Sequence, residues 1–138
     1  MKHLEVVAGV IVNDGKILCM QRNKGKYDYI SYKFEFPGGK IEEGETRSEA
    51  LMRELREEME LDTNIAESDF FLTVEHSYPD FSITMHSFIC RVKTDKFIRK
   101  EHIAHKWLRP SELLALDWAE ADKPIVEKII KGENIIWE

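Results

Sequence analysis

Residues 38–61 read GGKIEEGETRSEALMRELREEMEL. Two glycines open a tight turn, and Gly44 bends the chain again. From Thr46 the stretch has no proline or glycine and few β-branched residues, so a helix is expected to about Glu60. Thr46 can cap it, and Glu49, three residues on, completes a capping-box pattern. Leu51, Leu55 and Met59 recur at i, i+4 and i+8 and form an apolar stripe. Glu54, Glu57 and Glu58 follow i, i+3, i+4, so their carboxylates share the face beside that stripe. Like charges so close repel. A solvated acidic face is one way to tolerate them. The other is a hard divalent cation, Mg²⁺ or Mn²⁺, which takes carboxylate oxygens. Arg53 stands four residues from both Glu49 and Glu57 and can pair with either, orienting Glu57.

Around this stretch lies a chain of 138 residues, enough for a single domain, 1–138, with a real core. It is 43% hydrophobic and 33% charged, with a net charge of −6. That balance argues against a general nucleic-acid-binding surface, while a small polyphosphate could still be held by metal ions and a few local cations. The apolar run near the N-terminus is broken by Asn13-Asp14-Gly15, too early for a membrane span, and it lacks a small-residue cleavage site. Cys19 and Cys90 sit in strand-like apolar contexts without metal spacing, so buried reduced thiols and a cytoplasmic location are expected.

In chain order, residues 4–12 predict a buried strand, Asn13-Asp14-Gly15 a hairpin turn, and 16–22 the return strand, ending at Arg22. Residues 23–33 form a polar loop with Tyr27, Tyr29 and Tyr32, either a plain connection or a flap over a ligand. A short strand, 34–36, runs into Pro37-Gly38-Gly39, where the glycines let the backbone approach a ligand or metal closely. Beyond the helix, strands are expected at 70–77, 82–92 and 103–108, with His102 and His105 on opposite faces of the last and structural. Pro110–Leu116 should start a helix with Leu113, Leu114 and Leu116 inward, and 124–131 should be the final helix. Strands, helix, strands, helix suggest an α/β fold, a mixed sheet with helices on its faces.

One pattern joins these pieces. It runs Gly39, five residues, Glu45, seven residues, Arg53-Glu54-Leu55, one residue, Glu57-Glu58, one residue, Glu60, then Leu61. This resembles the Nudix box. The single departure is Glu60, where the family has glycine; that position is expected in the left-handed region, which costs a non-glycine residue about 1–2 kcal/mol. The resemblance extends through EFPGGKIEEGE, YPDFSITMHSF and EHIAHKWL followed by LLALDWAEADKPIVEKI, and is to the MutT-like branch that includes CTP pyrophosphohydrolase.

The resemblance implies the Nudix α/β/α sandwich with a mixed sheet. It implies Mg²⁺-dependent hydrolysis of (deoxy)nucleoside triphosphates, of 8-oxo-dGTP or CTP/dCTP type, to a monophosphate and pyrophosphate, in nucleotide-pool sanitation. By box position the Gly38 carbonyl, Glu54, Glu57 and Glu58 would hold the metal, with Mn²⁺ a substitute, and Glu45 and Arg53 would lock the loop and orient the glutamates. Glu54 or Glu101 would be the general base. Arg22 matches a nucleotide-touching position. Asp122, just ahead of the proline of the last helix, matches the base-reading position; it could instead cap that helix. As a charged carboxylate it would accept from cytosine N4 or adenine N6, which tilts the expectation toward cytidine-type substrates without excluding 8-oxo-dGTP. Gly38 and Gly39 would approach the substrate, and Tyr78, Phe81 and Trp118 could stack on its base or belong to the core. Monomer and homodimer are both compatible with this reading. The alternative is hydrolysis of another nucleoside diphosphate derivative, such as ADP-ribose or a dinucleoside polyphosphate. A non-catalytic nucleotide-sensing module is disfavoured because all three carboxylates are present.

Overall fold

The computed structural model describes residues 1–132 and Trp137. Its elements are β1 (Lys2–Asn13), β2 (Lys16–Gln21), β3 (Phe34–Glu35), β4 (Gly38–Lys40), α1 (Arg47–Met59), β5 (Phe70–Ser77), β6 (Phe81–Arg91), β7 (Ala104–Leu108) and α2 (Lys123–Lys131). Short 3-10 turns occupy Glu67–Asp69, Pro110–Ala115 and Glu120–Asp122.

β1 is the axis of a mixed sheet. It pairs parallel with β6 from Lys2↔Phe81 to Val12↔Arg91, and β6 pairs antiparallel with β5. At its far end β1 turns back into β2 through Asp14 (φ 51) and Gly15 (φ 74), two residues in the left-handed region as a tight hairpin demands. β2 carries β3 and β7, both antiparallel.

Alternation along β1 builds two cores. Val7 and Ile11 pack with Leu51, Leu55 and Met59 of α1, while Ala8, Val10 and Val12 pack with Ile125, Val126 and Ile129 of α2. The helices therefore cover opposite faces, giving an α/β/α sandwich. The apolar stripe of α1 is the cause on its side: Leu51, Leu55 and Met59 are all at most 1% exposed. Burying such a side chain is worth about 1.5–3 kcal/mol each, which offsets the repulsion among the glutamates left on the neighbouring face. The expected start of α1 is present in full. Thr46 Oγ1 accepts from the Glu49 N–H, and the Glu49 carboxylate accepts from the Thr46 N–H.

Three expectations are corrected. Gly38 and Gly39 are not a free turn but part of β4, which pairs antiparallel with β1 at Ala8 and Val7. A Cβ on Gly38 would stand 1.9 Å from the Val7 carbonyl oxygen, so glycine is required by the approach of two backbones. Pro110–Ala115 is a 3-10 helix, in which residues three apart align. Leu113 and Leu116 therefore face the core, whereas Leu114 is 74% exposed. His102 lies before β7 and not within it.

Candidate active site

The glutamate face of α1 is organised by Arg53. Its guanidinium donates to both oxygens of Glu45 (2.6 and 3.0 Å), to Glu54 (3.0 Å), to Glu57 (3.2 Å) and to the Lys40 carbonyl (2.9 Å). The arginine thus ties the 40–45 loop to the helix. The Arg53 hydrogen bond is also the main cause holding the Glu45 carboxyl below its ordinary range. The expected Arg53–Glu49 pair does not form, because Glu49 is committed to the helix cap.

Glu58 points into a more buried space. Burial first, then the neighbouring charges of Glu101 and Glu54, push its carboxyl up to about 8. Glu101 stands on the loop before β7 that Ile98 and Lys100 tie to the end of α1, and its charge acts on Glu58 from there. Glu54 packs on β4: a Cβ on Gly39 would fall 2.4 Å from its carboxyl carbon. Glu60 ends the helix at φ 50, ψ 37, the left-handed conformation expected where the box departs from glycine.

Glu58 thus has Glu54 and Glu101 as carboxyl neighbours, and carboxylate oxygens are the donors a hard divalent cation takes. Among the described residues, no three His, Cys, Asp or Glu side chains are grouped to hold a metal ion as they stand. Glu57 is 60% exposed and turned onto Arg53.

On the other side of β4 lies a cavity of about 450 Å³. Its lining includes Gly38, Gly39, Arg22, Tyr78, Phe81 and Asp122. The structure thus brings together every substrate-facing residue the sequence singled out, with the exception of Trp118. That residue is core: it stacks on Phe36 and donates its indole N–H to the Leu113 carbonyl at 2.8 Å. Asp122 stands at the N-cap position of α2, but its side chain makes no capping hydrogen bond. Its carboxyl is buried and accepts from the Phe36 N–H at 3.0 Å. Burial, then the neighbouring Glu35 charge, push its proton affinity well above the ordinary carboxylate range, against the opposing Phe36 N–H and Arg22.

The tyrosine loop takes part in this wall. Tyr27 stacks on Tyr29 and Phe81, Tyr29 stacks on Tyr78, and the Tyr29 hydroxyl donates to Asp80 at 2.9 Å. Tyr78 in turn accepts from the Ala121 N–H at 3.0 Å, fixing the wall to the Asp122 turn.

The sequence reading passed over one residue of this wall. Glu35 accepts from Arg22 at 3.0 Å and from His102 at 2.8 Å. Its signal was present: a carboxylate between Phe34 and Phe36, whose side chains are buried, must face the other way and find a partner.

The chain matches the NUDIX domain family model over residues 2–129. The chain belongs to the Nudix family. Within it, the sequence is 35% identical over 127 residues to the CTP pyrophosphohydrolase of Escherichia coli (strain K12), covering 92% of this chain and 91% of that protein. It is 31% identical over 129 residues to the 8-oxo-dGTP diphosphatase of the same strain, covering 94% and 98%. Among solved structures it resembles the MutT protein of methicillin resistant Staphylococcus aureus 252, with a TM-score of 0.73 and 38% identity over 96% of this chain and 99% of that one. It is a MutT-like Nudix hydrolase, and Nudix hydrolases generally use a divalent metal. Among the described residues, no helix is long and apolar enough to cross a membrane.

Proposed function

We propose that this single Nudix domain hydrolyses (deoxy)nucleoside triphosphates, of CTP/dCTP or 8-oxo-dGTP type, to the monophosphate and pyrophosphate with Mg²⁺. The observation that carries the proposal is the double role of β4. Gly39 is in contact with Glu54 on the glutamate helix, and the same strand lines the cavity that holds Asp122. A nucleotide lying along β4 would have its base beside Asp122 and its phosphates beside the glutamates.

A bound Mg²⁺ would neutralise the polyphosphate charge and acidify a water molecule. Glu54, Glu57, Glu58 and the Gly38 carbonyl would hold it, with Glu57 leaving Arg53 to do so. Arg53 and Glu45 keep the loop and the helix in register for that purpose. Glu101 takes the proton of the attacking water, a role supported by its place against Glu58. Arg22, steadied by Glu35, meets the sugar–phosphate part. Tyr78 and Phe81 offer aromatic faces to the base.

The environment of Asp122 widens the substrate reading. Its raised proton affinity favours the protonated form, which offers an O–H donor as well as acceptors. It can therefore pair with a base that presents a ring acceptor, and not only with an exocyclic amine. Purified protein with Mg²⁺ is to be given CTP, dCTP, oxidised dCTP, dGTP, 8-oxo-dGTP and ADP-ribose, and the products identified. Pyrophosphate with a monophosphate from a cytidine or oxidised-guanine substrate is expected. Cleavage of ADP-ribose alone would overturn the triphosphate assignment.

A further inference from the structure

Glu101 is presented to the helix by a loop with no regular structure, yet both of its neighbours are tied down. On one side, the Lys100 ammonium donates to the Glu57 carbonyl at 3.2 Å and pairs with Glu60 at 3.3 Å. The Ile98 N–H, two residues earlier, donates to the Met59 carbonyl at 3.0 Å. The loop thus takes up carbonyls that the end of α1 leaves without partners inside the helix. On the other side, the His102 Nε2–H donates to Glu35 at 2.8 Å, with the histidine side chain 9% exposed. The Ile103 N–H donates to the Gln21 carbonyl at 3.0 Å. One tether runs to the helix that carries the glutamates and the other to the strand that walls the cavity.

We propose that Lys100 and His102 are positioning residues that clamp Glu101 against Glu58 from opposite flanks. Glu60, the box position that departs from glycine, is the outer half of the Lys100 tether. An unsupported loop carboxylate loses side-chain and backbone freedom when it is ordered for proton transfer, and the clamp meets that loss on folding. The inference rests on the reading of Glu101 as the group that takes the proton.

The test is a double-mutant cycle on the full chain. Lys100→Ala is expected to lower kcat by about 10-fold with KM changed by less than about twofold, the pattern of a lost supporting contact. Lys100→Arg should restore most of the rate. His102→Ala should lower kcat from the other flank, and His102→Gln, which keeps a donor, should recover it. In a Glu101→Gln background, Lys100→Ala should cost almost nothing further, because a residue acting through Glu101 has nothing left to position. A full additional loss in that background would overturn the proposal. The cycle is run on whichever diphosphate the wild type cleaves, so a wrong substrate class leaves it intact. Amide hydrogen exchange over residues 98–103 provides a readout without turnover. Faster exchange in Lys100→Ala and His102→Ala is expected, and unchanged exchange in both would sink the clamp.

Discussion

Glu60 offers a place where stability and activity should part. It stands in the left-handed region at φ 50, at the exposed end of α1. A non-glycine residue there costs roughly 1–2 kcal/mol, and glycine returns about 0.5–1 kcal/mol of that through its more flexible unfolded chain. Replacing Glu60 also removes the pair with Lys100, whose side chains are 59% and 44% exposed. A pair so exposed is worth about 0–1 kcal/mol. Comparing Glu60→Gly with Glu60→Ala cancels that loss, since both lack the carboxylate. The difference left is the backbone, so the glycine variant should be the more stable by about 1 kcal/mol, or about 3 °C in Tm. Urea unfolding monitored by tryptophan fluorescence measures it, with an Asn variant expected in between. Both variants should nevertheless hydrolyse more slowly than wild type by a similar small factor, because Lys100 keeps its bond to the Glu57 carbonyl but loses its outer partner. Equal stability of the Gly and Ala variants would refute the strain argument. An Ala variant much slower than the Gly variant would refute the tether.

Further outcomes are expected elsewhere in the site. Glu57→Gln and Glu58→Gln should each lower hydrolysis by about 100-fold or more while the far-ultraviolet circular dichroism stays that of the wild type. Gly39→Ala should fold but lose activity, because its Cβ displaces the Glu54 carboxylate, whereas Gly38→Ala should give mostly insoluble protein, because its Cβ meets backbone 1.9 Å away. Arg53→Lys should cost about 10–100-fold in rate, since an ammonium cannot hold Glu45 through two parallel hydrogen bonds and still reach Glu54 and Glu57. Asp122 has a raised proton affinity in the fold, so its contribution to stability is fully present below its unfolded value of 3.8 and is lost as pH rises through its folded value. Asp122→Asn should therefore gain stability relative to wild type as pH rises from 4 to 8, measured by urea unfolding, and a difference independent of pH would mean that Asp122 is ionised in the fold.

The sequence by itself determined what depends on near neighbours. The Thr46–Glu49 cap, the apolar stripe 51–55–59 and the glutamate face beside it are all set within one helix, by its 3.6-residue period. The Asp14-Gly15 turn follows from the conformations those two residues tolerate. The box spacing pointed to the family for the same reason: its positions lie within 23 consecutive residues, from Gly39 to Leu61.

Only the tertiary structure decided which distant groups meet. Asp122 accepts from Phe36 across 86 residues, and His102 reaches Glu35 across 67. Neither partner follows from local periodicity, because each depends on how α2 and β7 pack on the sheet. Arg53 chose Glu45 over Glu49 because the cap had already engaged Glu49 and the folded loop delivered Glu45. The glycines after Pro37 were legible as a close approach, but what approaches is β1 on one side and Glu54 on the other. The family resemblance singled out Asp122 as a carboxyl facing the substrate, and the structure sets it in the cavity wall. Its charge state was not legible, since that is set by burial and by Glu35, both products of the complete fold.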